Sequence, residues 1–196
     1  MSRIGRQVDH FKEIDPGSIR ADFSPDRQYR FTLIMQFRDS LLSRKRSQVV
    51  SVILKNPSAA DERRSDSTIR KVETYIWKHF PDARFLNILN LFGFRATDAR
   101  EVNAKLKKEN LDGIVGKDND RFFREILSMS DFLVCAWGGP SGIQLTSYES
   151  RLTSVKEIIL KNFKGPVYQV CGNQSTKEPL HGLMWSYEYQ LKPFAP

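Results

Sequence analysis

Val49-Val50-Ser51-Val52-Ile53-Leu54-Lys55-Asn56-Pro57-Ser58 is the stretch whose reading decides the fold. Its first six residues are mostly β-branched and uncharged, the pattern of a strand buried on both faces in a parallel sheet. The run stops at Lys55-Asn56-Pro57-Ser58. Proline biases Asn56 toward an extended conformation and fixes a turn there. Downstream, Asp66-Ser67 forms a helix cap, and Ile69, Val72, Ile76 and Phe80 fall on one helical face. A second apolar strand follows over 85–91, then a helix over 118–127 with Phe122, Phe123, Ile126 and Leu127 inward. A third strand over 131–137 closes at Gly138-Gly139-Pro140. Leu145, Tyr148, Leu152, Val155 and Ile159 mark a long amphipathic helix, and 167–170 a fourth strand. Upstream, alternation of Tyr29, Phe31, Leu33 and Met35 predicts a strand over 29–35.

Strand–helix alternation of this kind predicts an α/β fold, a three-layer α/β/α sandwich around a mainly parallel four-stranded central sheet. Residues 1–28 are polar, with turns at Asp15-Pro16-Gly17 and Ser24-Pro25-Asp26, and are expected to form an N-terminal arm. Residues 29–196 are then a single domain, with a turn-rich tail after the fourth strand.

The 196 residues carry 31 Lys+Arg against 23 Asp+Glu, a formal charge of +8, and 40% are hydrophobic. That suffices for one core and excludes collagen-like and low-complexity chains. No window approaches eighteen apolar residues, so no membrane association is expected, and residues 1–11 do not read as a signal peptide. With only Cys135 and Cys171, both expected to be core thiols, a disulfide scaffold is excluded. A cytoplasmic location is the expectation. The charge is spread through Arg44-Lys45-Arg46, Arg63-Arg64, Arg70-Lys71 and Lys105 to Lys108, and it admits an anionic partner such as nucleic acid.

Ligands of parallel sheets bind at the carboxyl ends of the strands. Candidate loops there are Asn56-Pro57-Ser58, residues 90–97, residues 137–142 and the chain after the fourth strand. Asn56 offers an amide that donates and accepts, or else a turn amide that bonds its own backbone. Asn90 can read a planar edge and Arg95 can clamp a phosphate or carboxylate; alternatively, both are satisfied structural groups. Phe92 and Phe94 suit a core as well as a stacking platform. His181, beside Pro179 and Gly182, can stabilise developing negative charge. His10 and His79 read as surface residues. No Ser-hydrolase elbow, phosphate-loop lysine, dinucleotide fingerprint or metal-ligand spacing occurs, so neither metal nor cofactor is expected.

Three groups of residues carry a family resemblance. They are Leu54-Lys55-Asn56-Pro57-Ser58-Ala59-Ala60-Asp61, Asp66-Ser67-Thr68-Ile69-Arg70, and Asn90-Leu91-Phe92-Gly93-Phe94-Arg95-Ala96-Thr97. With Gly116-Lys117-Asp118-Asn119-Asp120 and Ala136-Trp137-Gly138, they resemble a widespread bacterial family known only as a domain of unknown function. Its members read L-N-P-S-x-A-D, D-x-T-I-R, N-L-F-x-x-R-A-T, G-x-x-N-D and A-W-G. Two positions depart from that pattern. Lys55 replaces an apolar residue, and Gly182 replaces the proline of a late H-P-L.

The motif order also resembles, more distantly, the uracil-DNA glycosylase superfamily. One branch has G-I-N-P-G after its first strand, and another keeps the spacing from Asn90 to Arg95 after its second. That resemblance implies a glycosylase acting on a damaged or modified base in DNA. Asn56 would position the attacking water, Asn90 would bond the flipped base, and His181 would stabilise the departing base anion. Arg95 and the Gly138-Gly139 loop would meet phosphate. Pro57, Ser58, Asp66, Thr68, Phe92, Thr97 and Trp137 complete the expected substrate-binding set. Asp61, Asp66, Thr68 and Thr97 have no counterpart in that superfamily and leave room for other chemistry. A non-catalytic module that holds modified DNA or a nucleotide is one alternative, and a hydrolase of a free nucleotide is another. The iron–sulfur cysteines of some branches are missing, so no cluster is expected.

Overall fold

The computed structural model describes residues 7–38, 46–172 and 178–196. Residues 1–6 of the expected arm, and Arg44 and Lys45 of the basic cluster, lie outside the described residues. In chain order the elements are β1 (Gln7–Val8), β2 (Arg20–Phe23), β3 (Arg30–Gln36), β4 (Gln48–Leu54), β5 (Ser65–Asp66) and α1 (Ser67–His79). They continue with β6 (Ala83–Asn90), α2 (Ala99–Val115), α3 (Asn119–Ser128), β7 (Phe132–Cys135), α4 (Leu145–Asn162), β8 (Val167–Cys171) and β9 (Gln190–Pro193). Short 3-10 turns cover Pro16–Ser18 and Gly182–Met184.

The fold is α/β, but the sheet is wider than the sequence predicts. Seven strands run in the order β2-β3-β6-β4-β7-β8-β9, and β1 pairs separately with β5. The pairings β4/β6, β4/β7 and β7/β8 are parallel. Those of β2/β3, β3/β6 and β8/β9 are antiparallel. The expectation of a mainly parallel, four-stranded sheet is therefore corrected to a mixed, seven-stranded one. Apolar runs mark buried strands but not their direction, and β3 runs against β6. The flanking strands β2 (Arg-Ala-Asp-Phe) and β9 (Gln-Leu-Lys-Pro) are too polar to stand out from loops. Part of the expected arm is thus a sheet edge, and part of the expected tail is the other edge.

Side-chain alternation divides the core in two. Val50, Val52 and Leu54 of β4, Leu86 and Ile88 of β6, and Val134 of β7 pack with Ile69, Val72, Tyr75 and Ile76 of α1. Ile53, Leu89, Leu133 and Cys135 point the other way, against Val102 and Leu106 of α2, Phe123 and Ile126 of α3, and Leu152 and Val155 of α4. Each fully buried aliphatic side chain contributes about 1.5–3 kcal/mol of transfer free energy. Helix α2 goes beyond the sequence expectation. Its buried residues are only Val102, Leu106 and Ile114, and Asn110 interrupts it with φ 59°.

Among the described residues of the N-terminal segment, His10 and Phe11 are anchored to α1. His10 is not a surface residue. Its side chain is 8% exposed, and its Nδ1 lies 2.5 Å from Oε1 of the fully buried Glu73 in α1. His79, also expected at the surface, is half-buried; it stacks on Tyr75 and contacts the Tyr187 carbonyl. Cys135 is buried and Cys171 half-buried, and both are free thiols. Among the described residues no helix is long and apolar enough to cross a membrane.

Candidate functional site

Strand β4 ends in the centre of the sheet, and the chain leaving it is held by the segment that follows β6. Leu91 N donates to Leu54 O at 2.9 Å and Phe92 N to Lys55 O at 2.9 Å, which prolongs the parallel ladder past the strand ends. Ala96 N donates to Pro57 O at 3.0 Å, and Asn56 Nδ2 donates to Ala96 O at 2.6 Å. The carbonyl partner fixes the orientation of the Asn56 amide: the nitrogen is engaged and Oδ1 is left over.

Across from this turn stands the start of α1. Asp66 is its N-cap, with Oδ1 accepting from Thr68 N and Ile69 N, each at 2.9 Å. Its Oδ2 accepts from the Ser58 hydroxyl, which binds the β4 turn to the helix. An aspartate there satisfies two of the orphan amides of the first turn. Arg30 reaches the same region from β3. It is 1% exposed and donates to Ala60 O at 2.6 Å, while its Nε lacks a partner among the described residues. Burial pushes its pKa down to about 10, against the opposing pull of Asp66.

The third wall is the 3-10 turn that carries His181. Gly138 N donates to Pro179 O at 2.9 Å and Gly182 N to Ala136 O at 3.3 Å, which seats this turn over the end of β7. A Cβ on Gly182 would stand 2.9 Å from Val72 Cγ2 and 3.0 Å from Leu54 Cδ2, so glycine permits the close approach. His181 Nδ1 accepts the Leu183 N–H at 3.2 Å. A ring nitrogen that accepts carries no proton, so in the neutral ring the proton sits on Nε2. Burial first, and then the charge of Lys55, push the His181 pKa down to about 4, with Asp66 opposing. At neutral pH His181 is therefore an uncharged Nε2–H donor. Lys55, 6% exposed, donates from Nζ to Ser141 Oγ at 2.9 Å, and burial lowers its pKa to about 8.

These three walls enclose a polar cleft of about 400 Å³ at the carboxyl ends of the central strands. Of the residues predicted from sequence, it brings together Asn56, Ser58, Asp66, Thr68, Thr97 and His181. Six others lie off it. Pro57 is buried behind the turn, holding the 96–57 backbone bond. Phe92 and Trp137 are fully buried among the α2–α4 core residues, and Trp137 Nε1 donates to Glu178 Oε2 at 3.1 Å. Arg95 lines an outer groove with Arg27 and Asp61, donating to Ser58 O at 3.3 Å. Gly138, with φ +66°, lines a neighbouring groove beside Pro179 and Leu180. Asn90 is fully buried at the end of β6, and neither amide atom has a partner among the described residues.

Sequence reasoning missed the parts played by Lys55, Arg30 and Ser141. Lys55 had a signal, its place next to Asn56-Pro57; Arg30 had none, because its burial is set by tertiary packing. The Asn119-Asp120 motif also gains a physical role. Asn119 Nδ2 donates to the carbonyls of Asn90 and Leu91 at 3.1 and 3.2 Å. Arg151 Nε donates to Leu91 O at 2.6 Å while its NH1 pairs with Asp120 at 2.7 Å. Together these residues brace the exit of β6.

Fold and site together define an α/β domain with a polar, cation-bearing cleft at the carboxyl ends of its parallel strands. A family model described as "Protein of unknown function (DUF1643)" matches residues 30–183, and the chain belongs to that family. No curated protein and no solved structure matches it.

Proposed function

We propose that the protein is a nucleic-acid-directed enzyme of DNA glycosylase type that cleaves the N-glycosidic bond of a damaged or modified base. The observation that carries this is the meeting of Asn56 and neutral His181 in one cleft. Glycosidic cleavage passes through an oxocarbenium-like state. It needs a placed water and a donor for the departing base anion rather than a strong nucleophile. Asn56 Oδ1 accepts from the water and orients it, while Nδ2 stays locked to Ala96 O. His181 Nε2–H donates to the leaving base, and the Lys55 charge beside it favours the anion. Asn90 and Phe92 stay behind the cleft wall, so Ser58, Thr68 and Thr97 are left to read the base edge. Arg27 and Arg95 in the outer groove face the phosphates. The likeness of motif order to uracil-DNA glycosylases, and the net charge of +8, support the same reading.

The test is chromatographic detection of free base released from duplexes that carry modified pyrimidines or purines. Asn56→Ala and His181→Ala should each reduce release by about 10²-fold or more, the usual scale for losing one preorganised group. No release from any duplex, or full activity in Asn56→Ala, would overturn the proposal.

A second reading has its own observation: two buried cations, Arg30 and Lys55, line a cleft of nucleotide size. They suit an anionic small molecule, held or hydrolysed as a free nucleotide. Activity or saturable binding with nucleoside monophosphates, and none with oligonucleotides, would favour it.

A further inference from the structure

We propose that Lys55 is an imine-forming amine, which captures the C1′ aldehyde of the abasic deoxyribose left in the cleft once the base has gone. The inference rests on the glycosylase reading above and extends it to the sugar product.

The placement of Lys55 argues against a purely structural lysine. Its backbone is fixed by the Phe92 N–H at the end of β4, so the side chain starts from the floor of the cleft. The residue is 6% exposed, and the ammonium has one partner, the Ser141 hydroxyl at 2.9 Å. No carboxylate lies within ion-pair distance of Nζ among the described residues. A structural lysine buried to this degree ordinarily has a counter-ion, because an unpaired buried charge is costly. Lys55 therefore gives up its proton readily. With a pKa of about 8, about one molecule in ten carries the free amine at pH 7. An ordinary exposed lysine, near 10.4, holds roughly a few parts in ten thousand. The free amine stands beside His181 and Asn56, the groups that would have served base removal.

The chemistry balances without any added oxidant or reductant. Water attack at C1′ leaves a hemiacetal, and ring opening frees the aldehyde. The Nζ lone pair forms the N–C1′ bond, giving a carbinolamine. Its hydroxyl takes up one proton and leaves as water, so amine, aldehyde and proton yield a protonated imine and one water. Ser141 Oγ, which accepts from the ammonium, can donate to the neutral amine and so keeps Nζ in place through the change.

The experiment is reductive trapping with the full chain. A duplex carrying a preformed abasic site is incubated with the protein and sodium cyanoborohydride, and 2-deoxyribose 5-phosphate is used as a second, DNA-free probe. We expect an adduct stable to denaturing electrophoresis, mapped by peptide mass spectrometry to Lys55 in preference to surface lysines. Lys55→Arg should lower the yield at least tenfold while keeping a native circular dichroism spectrum. No adduct with either probe would overturn the proposal, as would modification scattered over surface lysines or an undiminished yield in Lys55→Arg. Site mapping in the unaltered protein decides the matter even if the variant fails to fold. Base release from damaged duplexes is measured in parallel. A trap at Lys55 without any base release would sink the glycosylase reading and leave the amine assignment standing.

Discussion

Replacing His10 with alanine cuts a buried tie between the N-terminal segment and the helix that lines the cleft. His10 Nδ1 lies 2.5 Å from Glu73 Oε1, with side-chain exposures of 8% and 0%. Its Nε2 meets the Asp61 carbonyl at 3.0 Å, and Phe11 N donates to Glu73 Oε2 at 2.7 Å. Both ring nitrogens face acceptors, an arrangement that favours the doubly protonated ring. Burial opposes that charge, but the hydrogen bond and charge of Glu73, with the Asp61 carbonyl, outweigh it and raise the pKa above 6.5.

Removing one member of a buried pair costs about 3–5 kcal/mol. The Phe11 amide stays behind to stabilise Glu73, so the lower end applies, about 3 kcal/mol. In a chain of this length each kcal/mol moves Tm by roughly 2–4 °C, which gives a fall of roughly 6–12 °C. The raised pKa sets the sign of the pH dependence. The contribution is complete below about 6.5, the pKa in the unfolded chain, and is lost as pH climbs through the folded pKa. Urea unfolding followed by tryptophan fluorescence is the assay, with buried Trp137 and Trp185 as reporters. The gap between the native chain and His10→Ala should be widest near pH 6 and shrink toward pH 9. A gap below about 1 kcal/mol at pH 6, or one that does not change with pH, would refute the ion-pair account.

Three further outcomes are expected. By NMR, His181 should titrate near 4, and Lys55→Met should raise that midpoint because the Lys55 charge helps to depress it; Asp66→Asn should lower it further. Gly138→Ala should cost roughly 1–2 kcal/mol for the left-handed backbone. It should also shift the His181 resonances, because the new Cβ would sit 2.8 Å from His181 Cβ. Asp66→Ala should lose the cap of α1 at a cost of about 1 kcal/mol, seen as a lower thermal midpoint, whereas Asp66→Ser should recover most of it.

Elements with a strong local signal were legible in the sequence. The runs that became β4, β6 and β7 are apolar enough to be recognised alone, and α1, α3 and α4 show their buried faces at helical spacing. Helix α2 was not legible, because charged and amide side chains fill just over half of it and few side chains face the core. Strand direction and the two polar edge strands depend on partners far along the chain. The site divides in the same way. Asn56, Asp66 and His181 stand at turns whose chemistry is local, and they were found. Asn90, Phe92 and Arg95 belong to the same motif as Thr97, but strand alternation and the core behind it leave all three off the cleft and bring only Thr97 of the predicted set to it. His10 was misjudged because its partner, Glu73, lies 63 positions away.

The strand order has a kinetic consequence. Strands β3 and β4 are consecutive in the chain, yet β6 lies between them in the sheet. They cannot zip together as a hairpin, and the slot stays open until β6 arrives from beyond α1. Closing such loops costs entropy before the sheet returns any stabilisation, so the barrier belongs to the non-local pairing rather than to the helices. The Asn56 amide is held by Ala96, which lies beyond β6. The turn at the heart of the cleft therefore gains its shape only once β6 has been inserted, and the site and the centre of the sheet form in the same cooperative step.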